Sequence, residues 1–317
     1  VCAPRGFRAA GIHVGVKTHA AWKKDVALIV SDVDCAASAV FTKNVVKAAP
    51  IHVDKAHLAD GHARAIIANS GNANACAPHG EENAAKMCAA AAHAIGCKTE
   101  DVLVSSTGVI GQTLNVQVIE DGVPALYAAL DRSAAASDAA AHAIMTTDTV
   151  KKEAAVETAV GGKTVRIGGI AKGSGMIHPN MGTMLCFLTT DCAISTELLK
   201  AALLETANVS FNRISVDGDT STNDSCIMLA NGLAGNRVIT EKDENYTAFL
   251  AAMQALCVKL AKKMAGDGEG AKHLITCTVS GAASEESAET IAKSVISSTL
   301  TKAAIFGADA NWGRVLC

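Results

Sequence analysis

A threonine at a tight corner is the residue of this chain best placed for covalent chemistry. Residues 168–191 read GGIAKGSGMIHPNMGTMLCFLTTD. Glycines and a proline crowd the first half, where the backbone must bend, because glycine tolerates positive φ and proline fixes φ. Met184 to Leu188 then reads as a short buried strand. Thr183 therefore stands at the mouth of a strand, with the small Gly182 before it. Two readings fit: a β-forming residue at a strand start, or a nucleophile. A threonine hydroxyl needs an adjacent base. One solution makes the threonine a chain N-terminus, so that its own α-amine, with a reference pKa of about 8, takes the proton. Burial lowers that value further. The route requires cleavage of the Gly182–Thr183 bond. The hydroxyl begins it by attacking the Gly182 carbonyl, and water hydrolyses the resulting ester. The oxyanion that forms needs donors. Ser106-Thr107-Gly108, after an expected strand, offers the Thr107 hydroxyl and the Gly108 N–H, or is simply the turn that ends that strand.

Competing motifs fail on residue type or order. GSGM follows Lys172, whereas a phosphate loop places its lysine after the glycines. No GxGxxG opens a dinucleotide unit, and no GxSxG elbow occurs. Asp217-x-Asp219-x-Ser221 starts like a calcium loop but has Met228 where the closing glutamate belongs. A turn held by Asp and Thr side chains on their own backbone is expected there instead. His178, beside Pro179, is expected to be a structural loop residue. The eleven cysteines form no CxxC pair and no zinc spacing, which points to reduced, buried thiols and no metal.

The elements that must position these groups alternate between strand and helix. Strands are expected at Val26–Ser31, Ala39–Phe41, Ile51–Asp54, Ala65–Asn69, Asp101–Ser105, Met184–Leu188, Cys226–Ala230, Leu274–Val279, Lys302–Phe306 and Val315–Cys317. A hairpin is expected over Val156–Ile170, around Gly161-Gly162. Helices are expected at Glu81–Ile95, Ile119–Leu130, Ala134–Met145, Thr196–Val209 with Ser195 as cap, Asn245–Met264, and Glu286–Ser297 with Ile291, Val295 and Ile296 inward. Strands that also come in pairs favour a layered α/β sandwich. With 317 residues, half of them hydrophobic, the chain can bury one large or two ordinary cores. A net charge of −3 and 3% aromatics argue against a nucleic-acid surface. No apolar run approaches the roughly 18 residues of a membrane span. The chain starts at Val1 and stops at Cys317 within a strand-like run, so truncation is expected at both ends.

Seven blocks, in order, carry a family resemblance: GFRAAG from Gly6, SGNANAC from Ser70, SSTGVIG from Ser105, IMTTDT from Ile144, GGIAKGSGMIHPNMGTML from Gly168, FNRISVDGDTSTNDS from Phe211 and GADANWGRVL from Gly307. The chain resembles the ornithine acetyltransferase, or glutamate N-acetyltransferase, family of arginine biosynthesis (the ArgJ family). The resemblance implies an α/β sandwich of two sheets flanked by helices, like that of self-processing amidohydrolases of the DmpA type. It implies an alpha chain, 1–182, and a beta chain, 183–317, starting at the nucleophile Thr183 and lacking its C-terminal part. That last segment of the family supplies an Asn and a Thr to the substrate site. Thr107 and Gly108 match the family's oxyanion pair, and Thr146, Lys172 and Glu269 its substrate-binding positions. Gly182 stands where the family often has Ala.

The implied reaction moves an acetyl group from N-acetylornithine to glutamate through acetyl-Thr183. It needs no metal or organic cofactor, and bifunctional members also take acetyl-CoA as donor. The implied assembly is a heterotetramer of two alpha and two beta chains, with no nucleic-acid or membrane partner. The implied location is the cytoplasm, or the mitochondrion in a fungus. An N-terminal-threonine amidase or aminopeptidase on the same scaffold is the alternative. A third reading is an uncleaved chain that serves only as a folded scaffold.

Overall fold

A computed structural model describes residues 1–20, 22–178 and 184–317. Gly182 and Thr183, the expected cleavage pair, lie outside the described residues. Strands β1 (Phe7–Ile12), β2 (Val26–Phe41), β3 (His62–Asn72) and β4 (Val102–Val109) make one leaf. Strands β5 (Lys152–Val160), β6 (Lys163–Lys172), β7 (Leu185–Thr190) and β8 (Ser225–Ala230) make a second. The ladder is continuous in the order β4-β3-β2-β8-β7-β6-β5, with β1 also on β2. The long β2 serves both leaves. Its residues Val26–Ser31 pair antiparallel with β1, and Ala36–Phe41 pair antiparallel with β8. A register shift between Val30 and Cys35 separates the two stretches. The two strands expected at Val26 and Ala39 are therefore one.

Period-two alternation sends neighbouring side chains to different cores. From β7 and β8, Cys186, Leu188, Cys226 and Met228 face an outer core with helices α5 (Thr196–Val209) and α6 (Glu244–Gly266). Leu185, Phe187, Ile227 and Leu229 face a central core, where they meet Ala27, Ile29, Ile66 and Leu103 of the first leaf. The first leaf's Leu28, Val30, Ile67 and Val104 face a third core under helices α2 (Gly80–Ile95) and α3 (Val116–Ala128). The two leaves thus stack face to face between helical layers, as expected of a two-sheet sandwich. Helix α4 (Ala134–Ala143) packs Ala140 and Ala141 into the central core beside Ile144.

Local chemistry explains the boundaries. Ser195 and Ser133 cap α5 and α4, each accepting from a backbone N–H three residues on. Gly96, at φ 78°, ends α2 in the left-handed region. Gly161 and Gly162, at φ 55° and 75°, form the two-residue β5–β6 turn, where both positions need positive φ.

Four expectations fail, each for a physical reason. Ile51–Asp54 lies in helix α1 (Ala49–His57): Pro50 fits the first helical turn, and Ile51 and Asp54 share the buried face at i, i+3. Leu274–Val279 has the alternation of a strand, with Ile275, Cys277 and Val279 half-buried between exposed neighbours, but no ladder forms there among the described residues. Lys302–Phe306 belongs to helix α8 (Thr299–Phe306), after α7 (Glu285–Ser297); Ser298 caps α8 by accepting from Thr301 N, and Thr301 and Ala304 share its buried face. Val315–Cys317 overlaps α9 (Gly313–Leu316), a single turn. The α7 side chains also turn inward less than expected, with Ile291 exposed and Val295 and Ile296 half-buried.

Candidate active site

Of the expected site residues, Thr107, Gly108, Thr146, Lys172 and Glu269 converge where the ends of β4, β6 and α6 meet the loop after α4. Thr107 and Lys172 are 65 positions apart in sequence, yet the buried Lys172 Nζ donates to Thr107 Oγ1 at 3.1 Å. With that oxygen accepting, the Thr107 hydroxyl keeps its own proton for another acceptor. Burial holds the Lys172 ammonium below the ordinary lysine range, while the Asp148 carboxylate beside it works the other way. Gly108, at φ 134°, lies where β4 passes hard against β3. A Cβ there would stand 2.4 Å from the Gly71 carbonyl carbon, so only glycine fits. The ladder slips at this point, with Asn72 paired to both Thr107 and Val109. A slip of this kind at the end of a strand re-aims its backbone groups.

Thr146 and Glu269 flank this pair. The Thr146 N–H donates to Asp148 Oδ2 at 3.0 Å. The Glu269 N–H donates to the Ser174 carbonyl at 3.1 Å, and the Glu269 carboxylate lies over Gly175. A side chain at 175 would strike that carboxylate, since a Cβ would come within 2.6 Å of Oε1. His178 pairs its Nδ1 with Ser215 Oγ at 3.0 Å, and its carbonyl accepts from Thr220 Oγ1 at 3.2 Å, the structural role expected of it. Asp217 accepts from the Met176, Ile177 and Asp219 N–H groups, so the calcium-like stretch is a backbone-bound turn.

Two neighbours in the Phe211–Ser225 block tie the site together and were not singled out by sequence. Asn223 Nδ2 donates to the Ser106 carbonyl at 2.8 Å and to the Ala73 carbonyl at 2.6 Å. Asp224 Oδ1 accepts from the Met184 N–H at 2.6 Å. These two residues therefore join the residue before Thr107 to the residue after Thr183. Burial pushes the Asp224 carboxyl well above its ordinary value, and its Oδ2 is buried with no hydrogen-bond partner among the described residues. Asp148, Lys152 and Asp267, also missed, form a buried ionic cluster beneath the loops. Their positions alone carry no signal, because 267 lies 115 residues from 152.

The profile of the ArgJ family matches residues 8–317. The chain belongs to the ArgJ family. The arginine biosynthesis bifunctional protein ArgJ of Symbiobacterium thermophilum is 52% identical over the whole chain, which spans 78% of that relative's length. A chloroplastic ArgJ of Physcomitrium patens is 48% identical, and the chain spans 61% of it. The crystal structure of the ArgJ protein of Bacillus halodurans is similar at TM-score 0.54 and 43% identity, over 57% of this chain and 93% of that one. The ornithine acetyltransferase of Mycobacterium tuberculosis, crystallised with ornithine, aligns at TM-score 0.50 and 37% identity, over 57% of this chain and 94% of that one. ArgJ membership favours acetyl transfer over the amidase alternative.

Proposed function

We propose that this ArgJ-family chain transfers the acetyl group of N-acetylornithine to glutamate through an acetyl-threonine ester on Thr183. The observation that supports the reading is the link from Ser106 through the adjacent Asn223 and Asp224 to Met184, which ties the neighbour of Thr107 to the neighbour of Thr183. The Thr183 hydroxyl first attacks the Gly182 carbonyl, and the peptide nitrogen leaves as the new α-amine. Water hydrolyses the Gly182–Thr183 ester, giving chains 1–182 and 183–317. The free amine then takes the hydroxyl proton as Thr183 attacks the acetyl carbonyl of N-acetylornithine. Thr107 and the Gly108 N–H stabilise the oxyanion. Ornithine leaves with the proton, and the amine of glutamate attacks the ester to give N-acetylglutamate and free Thr183.

Thr146, Lys172 and Glu269 hold the substrate, with the Glu269 carboxylate facing the side-chain amine of ornithine. No step calls on a metal or organic cofactor, and acetyl-CoA is a second donor for a bifunctional enzyme. Two copies of each chain form the heterotetramer. No helix among the described residues is long and apolar enough to cross a membrane. By its family we place the enzyme in the cytoplasm, or in the mitochondrion of a fungus or similar eukaryote.

The test is the intact mass of the full-length protein beside a Thr183→Ala variant, with an assay of transfer from N-acetylornithine to glutamate. The wild type should split at 182–183 and transfer acetyl; the variant should stay whole and lose at least about a thousandfold in rate, as expected for loss of a nucleophile. A wild type that transfers acetyl while remaining one chain would sink the mechanism.

A further inference from the structure

Lys152 opens β5 and has a fully buried side chain, an unusual place for a lysine. Its ammonium lies between two carboxylates, Asp148 Oδ1 at 2.5 Å and Asp267 Oδ2. Each carboxylate also accepts from two backbone N–H groups. Asp148 accepts from the Thr146 N–H at 3.0 Å and the Gly173 N–H at 2.8 Å. Asp267 accepts from the Thr149 and Val150 N–H groups, at 3.0 and 3.3 Å, and from the Thr149 hydroxyl. The Asp267 carbonyl accepts from Ser174 Oγ at 2.6 Å, and two residues on, the Glu269 N–H returns to the Ser174 carbonyl.

One cluster thus fastens three segments: 146–150 after α4, 172–175 at the end of β6, and 267–269 after α6. Each carries one residue of the substrate set, Thr146, Lys172 or Glu269, within two positions of a bond to the cluster. We infer that Lys152, Asp148 and Asp267 are positioning residues that set the spacing of the three substrate-binding segments against one another. None of the three touches the substrate. Lys172 ends β6 opposite Leu185 and Lys152 opens β5 opposite Ala171, so the ladder sets those two ends; 146–150, 173–175 and 267–269 lie outside it and depend on the cluster for their spacing. Burial of the ions supplies the rigidity: a displaced carboxylate leaves the lysine unpaired in a dry interior. A shift of about 1 Å among binding groups costs up to roughly a hundredfold in rate. The cluster also carries one more negative than positive charge, which faces the ammonium of Lys172.

The inference rests on the substrate roles proposed above, and its test separates the two. Amide hydrogen exchange is followed on the full-length protein and on Asp267→Asn, which keeps the volume and an acceptor but removes the charge. Steady-state kinetics with N-acetylornithine and glutamate are measured on both. The expected result is a loss of protection of about tenfold shared by Thr146, Gly173 and Glu269, a rise in KM of about tenfold for both substrates, kcat within about threefold, and unchanged self-cleavage. Loss confined to Thr149 and Val150, with Gly173 and Glu269 still protected, would show that the cluster does not couple the segments. Coupled loss with KM unchanged would leave the cluster standing as a structural tie and would overturn its positioning role; the substrate roles are overturned separately, if Glu269→Ala also leaves both KM values unchanged. If Asp267→Asn does not fold, Ser174→Ala removes only one tie. It should loosen Gly173 and Glu269 together by about threefold; protection unchanged at both would again overturn the coupling.

Discussion

The ionic cluster under the site and the C-terminal stretch from residue 271 invert the usual distribution of polar and apolar groups. Lys152 and Asp148 are fully buried, while Phe306 is 63% exposed and Trp312 74%. The difference lies in partners. Every charge in the cluster is met by an opposite charge or a backbone N–H, so burial is tolerated. Phe306, with Leu274, Ile275 and Ile296, faces an open groove of about 760 Å³ bounded by α6, α7, α8 and residues 270–279. What a side chain is matters less for its burial than what stands opposite it.

Substitutions can break or sharpen that contrast. The largest effect belongs to the central core. Phe187→Ala should cost about 3–5 kcal/mol in a urea titration, because the ring is fully buried between the leaves. A loss below about 1 kcal/mol would mean that the two leaves do not share a packed core. Asp224→Asn should act next, with a signature in pH. Burial raises the Asp224 pKa, so the folded state holds a proton that the unfolded chain releases above about pH 4. Wild-type stability is therefore lost through this residue as pH rises from about 4 toward the raised value. The variant has no such proton. Its stability relative to wild type should grow steadily over that window in thermal melts taken from pH 4 upward. A difference that stays flat with pH would show that Asp224 is ionised at its ordinary value. The smallest effect belongs to the tail, where Phe306→Ala should change stability by no more than about 0.5 kcal/mol. A loss as large as that of Phe187→Ala would erase the contrast.

The same contrast explains what the sequence could reveal. Ser195 and the helix after it, the Gly161-Gly162 hairpin, and the buried stripe Phe249, Met253, Leu256, Leu260 and Met264 were legible, because caps, turns and helical spacing act within a few residues. Thr107 could be read from its place after an expected strand, whereas the substrate roles of Lys172 and Glu269 came only with the family resemblance. Asp148 and Lys152 were not, since their partner Asp267 is set by the fold. Alternation at Leu274–Val279 was read correctly as a pattern but wrongly as a strand, because alternation describes faces and a ladder needs a second edge. Pro50 and Ser298 were local signals overlooked: the first marks a first helical turn and turns Ile51–Asp54 from strand to helix, and the second caps the helix that takes in Lys302–Phe306.

The strand order carries a consequence for the life of the molecule after processing. Strands β7 and β8 come after residue 183, and they lie in the interior of the ladder, between β2 and β6, which come before it. A chain severed at 182–183 would not come apart, since each piece supplies strands that the other encloses. It would, however, lose the tether that let the two pieces find each other. Folding once is a first-order event for the intact chain; folding again, after unfolding, becomes a second-order encounter that slows with dilution. Severing would thus act as a ratchet: the assembled form persists by interlock, and its memory of how to assemble is gone.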